Sequence, residues 1–560
     1  MKRCPECRRD YFDDSLMFCL DDGAALLEGP TGTESQTRIL PGQLATHEAD
    51  RKTEQLSNAA GMQRLWPPTS RVQRFSYLAA LAALIVVGGL FVYRYAGSDT
   101  GSVRSIAVMP FTNTSGDPGA DYLSDGISEA LINSLTDLKQ LRVVARATAF
   151  RYKGREIDPR SVGRELNVRA VLMGTIKQVG DKLDVQVDLV DASTGAQIWG
   201  EDYVRQSSDL VQVKQTIAKE IVDKLKLKLS GDDQQKIEGR DTRNSEAYKH
   251  YLRGLYLQNQ RTADALRRAI DEFQQANAND PEYALGYVGL ADSYTFLEQI
   301  TGVPASESLP KARAAADRAL QLDSSSAEAH TSSAKVYEYE WQWAEAEREY
   351  RLAISLNPNY PRAHQWFALF LRSTHRFEEA MAEIKRAQDL DPLSSIIGAN
   401  AAFTYLINGD YASMIEQDRK IVDLDPAFWV PHNDMGWAYI KLRRFDEAVA
   451  EFQKAIEVSG RASIPLANLG YCYAVTGKKA DAISIVNELV ARYDRHESIG
   501  FNIATVYDGL GEKDQAFAWL EKDFQQRSSQ LAYVTWWPNF DDLRDDPRFV
   551  DLVTRMGLPK

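Results

Sequence analysis

Three rhythms of apolar residues divide the chain. Residues 75–93 (FSYLAALAALIVVGGLFVY) form a run of nineteen without a charge. A helix of that length nearly crosses the ~30 Å hydrocarbon core of a bilayer, with every backbone group paired internally. Between residues 102 and 230 short apolar runs alternate with helical stripes. Runs at 105–109 and 141–145 predict buried strands. Segments 169–179, 182–191 and 196–205 predict three more, joined by the hairpin signals Gly180-Asp181 and residues 192–195. Apolar positions at helical spacing (Leu123, Ile127, Leu131, Leu135, Leu138) predict a helix over 122–138; others fall at 159–166 and 210–229. The order βαβαβββα implies a mixed α/β domain, a sheet with helices packed on it.

From Asn244 on the period is longer. Pro358, Pro392 and Pro426 are 34 residues apart, as are Ala368, Ala402, Gly436, Gly470 and Ala504, and Tyr405, Tyr439, Tyr473 and Tyr507. Small residues where two helices cross, a tyrosine between neighbours and a proline that stops the second helix are the tetratricopeptide signature. It predicts an all-α solenoid of about eight repeats over 244–530, with about nine extra residues near 300–308. The repeat at 395–428 is the weakest, with Asp418 and Ile421 at signature positions. After residue 530 the pattern changes to WWPNFDDLRDDPRFVDLVTRMGL. It resembles the terminal element that closes many bacterial arrays, so 531–560 is expected to be a C-terminal cap.

In such arrays the first helix of each repeat lines a concave face. Its ninth position runs Lys335, Leu369, Phe403, Trp437, Tyr471, Thr505. Phe403, Trp437 and Tyr471, with Leu406, Ile440 and the amide of Asn433, are therefore the candidate partner-binding residues, suited to an apolar or aromatic-anchored peptide. The competing reading is that these rings pack against the second helices as core.

The N-terminal end carries different chemistry. Cys4, Cys7 and Cys19 lie within the first nineteen residues, too close for a disulfide framework. Cys4-x-x-Cys7 has the spacing of a zinc knuckle. Cys19 opens a second, in which Asp22 stands at the fourth-ligand position. With Pro5, Phe18 and Gly23 these residues resemble short bacterial zinc ribbons of the form CPxC…FCxxDG. Residues 1–26 are thus expected to hold one structural Zn²⁺ through Cys4, Cys7, Cys19 and Asp22, or to be a degenerate ribbon. Residues 27–74, rich in Gly, Thr, Ser, Gln and Glu, read as a flexible linker. Arg64, Arg71 and Arg74 precede the apolar run and Arg94 and Arg104 follow it, which places the N-terminus in the cytoplasm. The expected location is the inner membrane, single-pass, with the larger domains outside the cytoplasm.

Residues 102–230 resemble the amino-terminal domain of the TolB translocation protein. The matching pieces are IAVMPF, NTSGDPGADYLSDGISEAL, RVVARATAFRYKG, VGRELNVRAVLMGTI and LVDASTGAQIWGEDY. That resemblance implies a non-catalytic domain set between a membrane segment and helical repeats.

Composition narrows the function. The 560 residues carry a net charge of −13, which argues against a large nucleic-acid surface. Gly477-Lys478 lacks the context of a phosphate loop, and His496-Glu497 has no second histidine. No kinase or nucleophile-elbow motif occurs. His330, His364 and His432 read as surface or helix-packing residues, Cys472 as a small apolar side chain in a repeat. The sequence therefore predicts a membrane-tethered, non-catalytic interaction scaffold. The alternative is a transmembrane signalling or transcription regulator whose zinc module contacts nucleic acid or a transcription complex.

Overall fold

The computed structural model describes residues 2–3, 10–11, 27–28, 103–227, 229–231, 233 and 242–558. Cys4, Cys7, Cys19, Asp22 and the apolar run 75–93 lie outside these residues, as does the linker beyond residue 28. Among the described residues no helix is long and apolar enough to cross a membrane. In the N-terminal unit, residues 1–96, strand β1 (Lys2–Arg3) pairs antiparallel with both β2 (Asp10–Tyr11) and β3 (Leu27–Glu28).

The second unit, residues 97–560, holds the α/β domain and the repeats. Its sheet has β4 (Ser105–Val108) between β6 (Arg142–Val143) and β7 (Ala170–Val179), all parallel. From β7 an antiparallel meander continues through β8 (Lys182–Asp191) to β9 (Gln197–Gln206), and β5 (Thr112–Asn113) pairs with β7. On β8 every second residue, Leu183, Val185, Val187 and Leu189, is buried, as the alternating pattern requires. Helix α1 (Asp121–Thr136) lies against the sheet and against the first repeat helix. Two flanking partners explain why it is buried nearly all round, polar Ser124, Asp125, Ser128 and Glu129 included, with Gly126 letting Leu252 approach. After α2 (Arg146–Ala149), Asp158 caps α3 (Pro159–Glu165), and α4 (Leu210–Lys224) closes the domain.

Eight helix pairs follow among the described residues: α5 (Ser245–Gln258) with α6 (Ala263–Asn279), α7 (Ala284–Thr301) with α8 (Ala305–Leu322), α9 (Ala327–Tyr339) with α10 (Trp343–Leu356), α11 (Pro361–Ser373) with α12 (Phe377–Leu390), α13 (Ser395–Ile407) with α14 (Tyr411–Leu424), α15 (Val430–Lys441) with α16 (Phe445–Val458), α17 (Ser463–Val475) with α18 (Lys479–Tyr493), and α19 (Gly500–Gly509) with α20 (Lys513–Gln526). The extra residues of the second repeat are absorbed as helix. Its two helices have 18 residues each, against 13 and 14 in α11 and α12. Small residues are required at the crossings: a Cβ on Gly436 would stand 2.5 Å from the Phe452 ring. His330, His364 and His432 each tie the first helix of a repeat to a glutamate on the second, Nδ1 to Oε2 at 2.5 to 2.7 Å. Cys472 is fully buried, and burial pushes its thiol up to about 11.

The α/β domain docks on the loops between repeats, at the same position of three consecutive ones. Asn357 donates to Asp137; Asp391 accepts from the amide and hydroxyl of Thr148; Asp425 pairs with Arg151 at 2.8 Å. The three acceptor or donor residues are 34 apart and each precedes a signature proline.

Candidate functional site: the inner face of the repeats

First helices line the inside of the solenoid because their small-residue face packs on the second helices and leaves the ninth position inward. Three of those positions, Lys335, Phe403 and Thr505, meet the chain's own C-terminal segment. Residues 529–533 and 538–543 form two 3₁₀ turns, and α21 (Pro547–Arg555) follows. Phe403 stacks on Trp537 at 5.2 Å between ring centres and meets Trp536 edge-on at 5.4 Å. Thr505 accepts from the Asn539 amide. Lys335, buried and paired to Glu338 at 3.0 Å, sits against the Tyr533 hydroxyl. Residues 533–539 thus meet inward positions of the first helices, while Arg548 and Arg555 of α21 pair with Asp514 and Glu521 of α20, the last repeat helix.

Charged groups fix it along the way. The Arg372 guanidinium lies 4.1 Å over the Trp536 ring, and Lys441 pairs with Asp541 at 2.7 Å. Glu298 accepts from the Ser529 amide at 3.0 Å. Trp343 donates its indole N–H to the carbonyl of Met556 at 2.8 Å. Buried Glu298 is pushed up to about 7 by desolvation, opposed by its bond to Ser529.

The remaining sequence candidates occupy different places. Trp437 is fully buried, its indole walled by Phe452 at 6.2 Å and Tyr471 at 5.2 Å. It supports the groove from beneath, because the small residue before it draws Phe452 of the second helix against its helix. Tyr471 and Ile440 are half-buried in the same cluster, and Leu406 is buried in it. The Asn433 carbonyl oxygen already accepts from Asn468 at 2.7 Å, so this amide ties two neighbouring repeats together. Glu338 and Arg372 were not among the candidates, yet they stand 68 and 34 residues before Leu406 in the same register. That register was the signal that could have found them.

Family comparisons follow this division. Residues 102–220 match the second domain of HilA/YgeH-like transcriptional regulators, and residues 433–497 match the tetratricopeptide repeat. The C-terminal region is a tetratricopeptide-like solenoid joined to a mixed-sheet domain. The chain is 33% identical over 226 residues to a Rhizobium meliloti (strain 1021) protein named "Putative adenylate cyclase 3", covering 40% of this chain and 38% of that one. It thus spans under two fifths of that relative's length. Solved structures with similar helical pairs include that of Pseudomonas aeruginosa pilF, 23% identical with TM-score 0.29, covering 38% of this chain and 97% of that one. Another is YrrB, described as a TPR protein with an unusual peptide-binding site, at 20% and 0.25, covering 35% and 95%.

Proposed function

We propose that this chain is a non-catalytic interaction scaffold. Its repeat groove takes a peptide or protein segment, and residues 529–546 fill that groove until a partner displaces them. The observation that carries this reading is the inward row Lys335, Phe403, Thr505, each against the C-terminal segment. The groove grips a turn-rich stretch by its aromatic rings, with buried Arg372 and half-buried Lys441 beside it, so a competing partner carries aromatic residues beside acids. The apolar run 75–93 tethers the scaffold to the inner membrane in this reading, and Cys4, Cys7, Cys19 and Asp22 hold one structural Zn²⁺ on the cytoplasmic side. The TolB-like character of the α/β domain is part of the same proposal.

A labelled peptide of residues 529–546, added in trans, tests the groove. Wild type should bind it poorly, because its own segment competes. The double variant Trp536→Ala, Trp537→Ala should bind it about tenfold more tightly or better. Adding Phe403→Ala should abolish the gain. Equal binding by wild type and double variant would sink the reading. Trp437→Ala is expected instead to cost ~3–5 kcal/mol of stability, as large core truncations do.

The match of residues 102–220 to part of a transcriptional regulator favours a second reading. In it the chain is a signalling or transcription regulator, and the zinc module contacts nucleic acid or a transcription complex. DNA binding by the full chain, lost on Cys4→Ser, would carry this reading over the first.

A further inference from the structure

Where the α/β domain meets the first helices of the early repeats, a cavity of about 250 Å³ remains. Its wall is crowded with charge, and nearly all of it is internally matched. Arg146 pairs with Glu129 at 2.7 Å and Arg362 with Asp292 at 2.8 Å. The other wall carboxylates are held as well: Asp137 accepts from Asn357, Asp391 from Thr148, and Glu328 from Ser326.

Arg261 is different. It stands at the turn between α5 and α6, and its guanidinium lies 3.5 Å over the centre of the Phe296 ring. Among the described residues its side chain forms no hydrogen bond and no ion pair. It lines the cavity and is exposed to solvent. The protein around it and the like charges of Arg362 and Arg146 nevertheless push it down to about 9, with Asp292 opposing. At neutral pH it remains a cation. A guanidinium stacked by its face presents its N–H edge outward, the arrangement that takes an oxyanion in a two-pronged bond.

We infer that this cavity binds a small organic acid or phosphate ester through Arg261, with Arg362 and Arg146 adding to the positive field. Two features carry the assignment. The cation is held in place by a ring yet bonded to nothing, and every wall carboxylate near it is already engaged. The volume limits the ligand to a small metabolite-sized anion, below the usual range for drug-sized ligands. Apolar wall residues such as Val288 and Ile397 would cover its carbon skeleton. Because the wall belongs to both the α/β domain and the repeats, a ligand here would bridge the two.

Calorimetric titration of the full chain tests this, with inorganic phosphate, succinate and ribose 5-phosphate as probes. Saturable one-to-one binding of at least one probe is expected. Phosphate and ribose 5-phosphate binding without succinate would assign the ligand as a phosphate; succinate alone would assign a carboxylate. Arg261→Gln should weaken binding about tenfold or more and Arg261→Lys less, since lysine keeps the charge and loses the fork. Arg268→Gln, on the exposed side of α6, should leave it unchanged. Without probe, Arg261→Gln should melt within a few degrees of wild type, because the stack on Phe296 is the contact it gives up. Absence of saturable binding by all three probes would overturn the proposal. So would binding that survives Arg261→Gln.

Discussion

Glu298 shows what burial does to a single residue in this fold. It is 4% exposed, one of its oxygens accepts from the Ser529 amide, and the other has no partner. Desolvation pushes it up to about 7 from an ordinary value of 4.5. Asp523, which accepts from the amides of Gly500 and Phe501 at the start of α19, is likewise pushed up to about 7. The sign follows from the raised value. The folded state holds the proton more tightly than the unfolded chain, so the contribution is full below the ordinary carboxylate range. It is lost as pH rises from about 4.5 through about 7. Urea unfolding should therefore show stability falling across that window. Glu298→Gln, which cannot ionise, should remove ~3 kcal/mol of the fall. An unchanged slope in that variant would mean that Glu298 titrates normally. Asp418 is the same physics without compensation. It is fully buried, neither oxygen has a partner, and burial with nearby Asp434 pushes it well up. It marks the repeat that the sequence pattern singled out as weakest.

At the scale of elements, the period of 34 does two jobs. It places the small residues that let paired helices cross, and it sets loop residues at one spacing along the solenoid edge. The first job was legible in the sequence, because helix packing is decided by residues a fixed number of turns apart. The second was not, since nothing local marks Asn357, Asp391 and Asp425 as contacts for Asp137, Thr148 and Arg151. Asp391 is the test. Removing its carboxylate leaves two buried Thr148 donors without an acceptor, and an unsatisfied buried donor costs about 1–3 kcal/mol. Asp391→Ala should lower stability by at least that much in denaturant unfolding. Asp391→Asn, which keeps one acceptor oxygen, should cost under ~1 kcal/mol. Equal losses in both variants would show that the contact is not held by that oxygen.

Within residues 97–560 the two ends of the repeat array touch. Trp341, between α9 and α10, stacks on Phe524 of α20 at 5.1 Å, and Gly302 lies so close to Ser498 that a Cβ would stand 2.7 Å from its carbonyl oxygen. Early repeats therefore meet late ones, and the C-terminal segment contacts both, at Glu298 and Lys335 and at Thr505. A metal assay of the full chain is the corresponding test at the other end. One equivalent of zinc under reducing conditions is expected, lost on Cys4→Ser; a metal-free wild type would rule the site out.

By itself the sequence determined the alternating strands of the α/β domain, the helix pairs with a count of about eight, and the burial of Cys472; it left His330, His364 and His432 as surface or helix-packing residues, and the structure ties each to a glutamate. The strands and helix pairs follow from periodicity, which each element carries within itself. Tertiary structure alone decided what faces the ninth positions. Phe403 and Trp437 occupy the same position of adjacent repeats, yet one meets the C-terminal tryptophans and the other is sealed beneath Tyr471. It also decided that Arg261 stands unpaired in a charged cavity. Both outcomes depend on tertiary contacts between segments well separated in sequence, the C-terminal tryptophans on the first helices and the α/β domain on the early repeats, and no local pattern encodes where such contacts form.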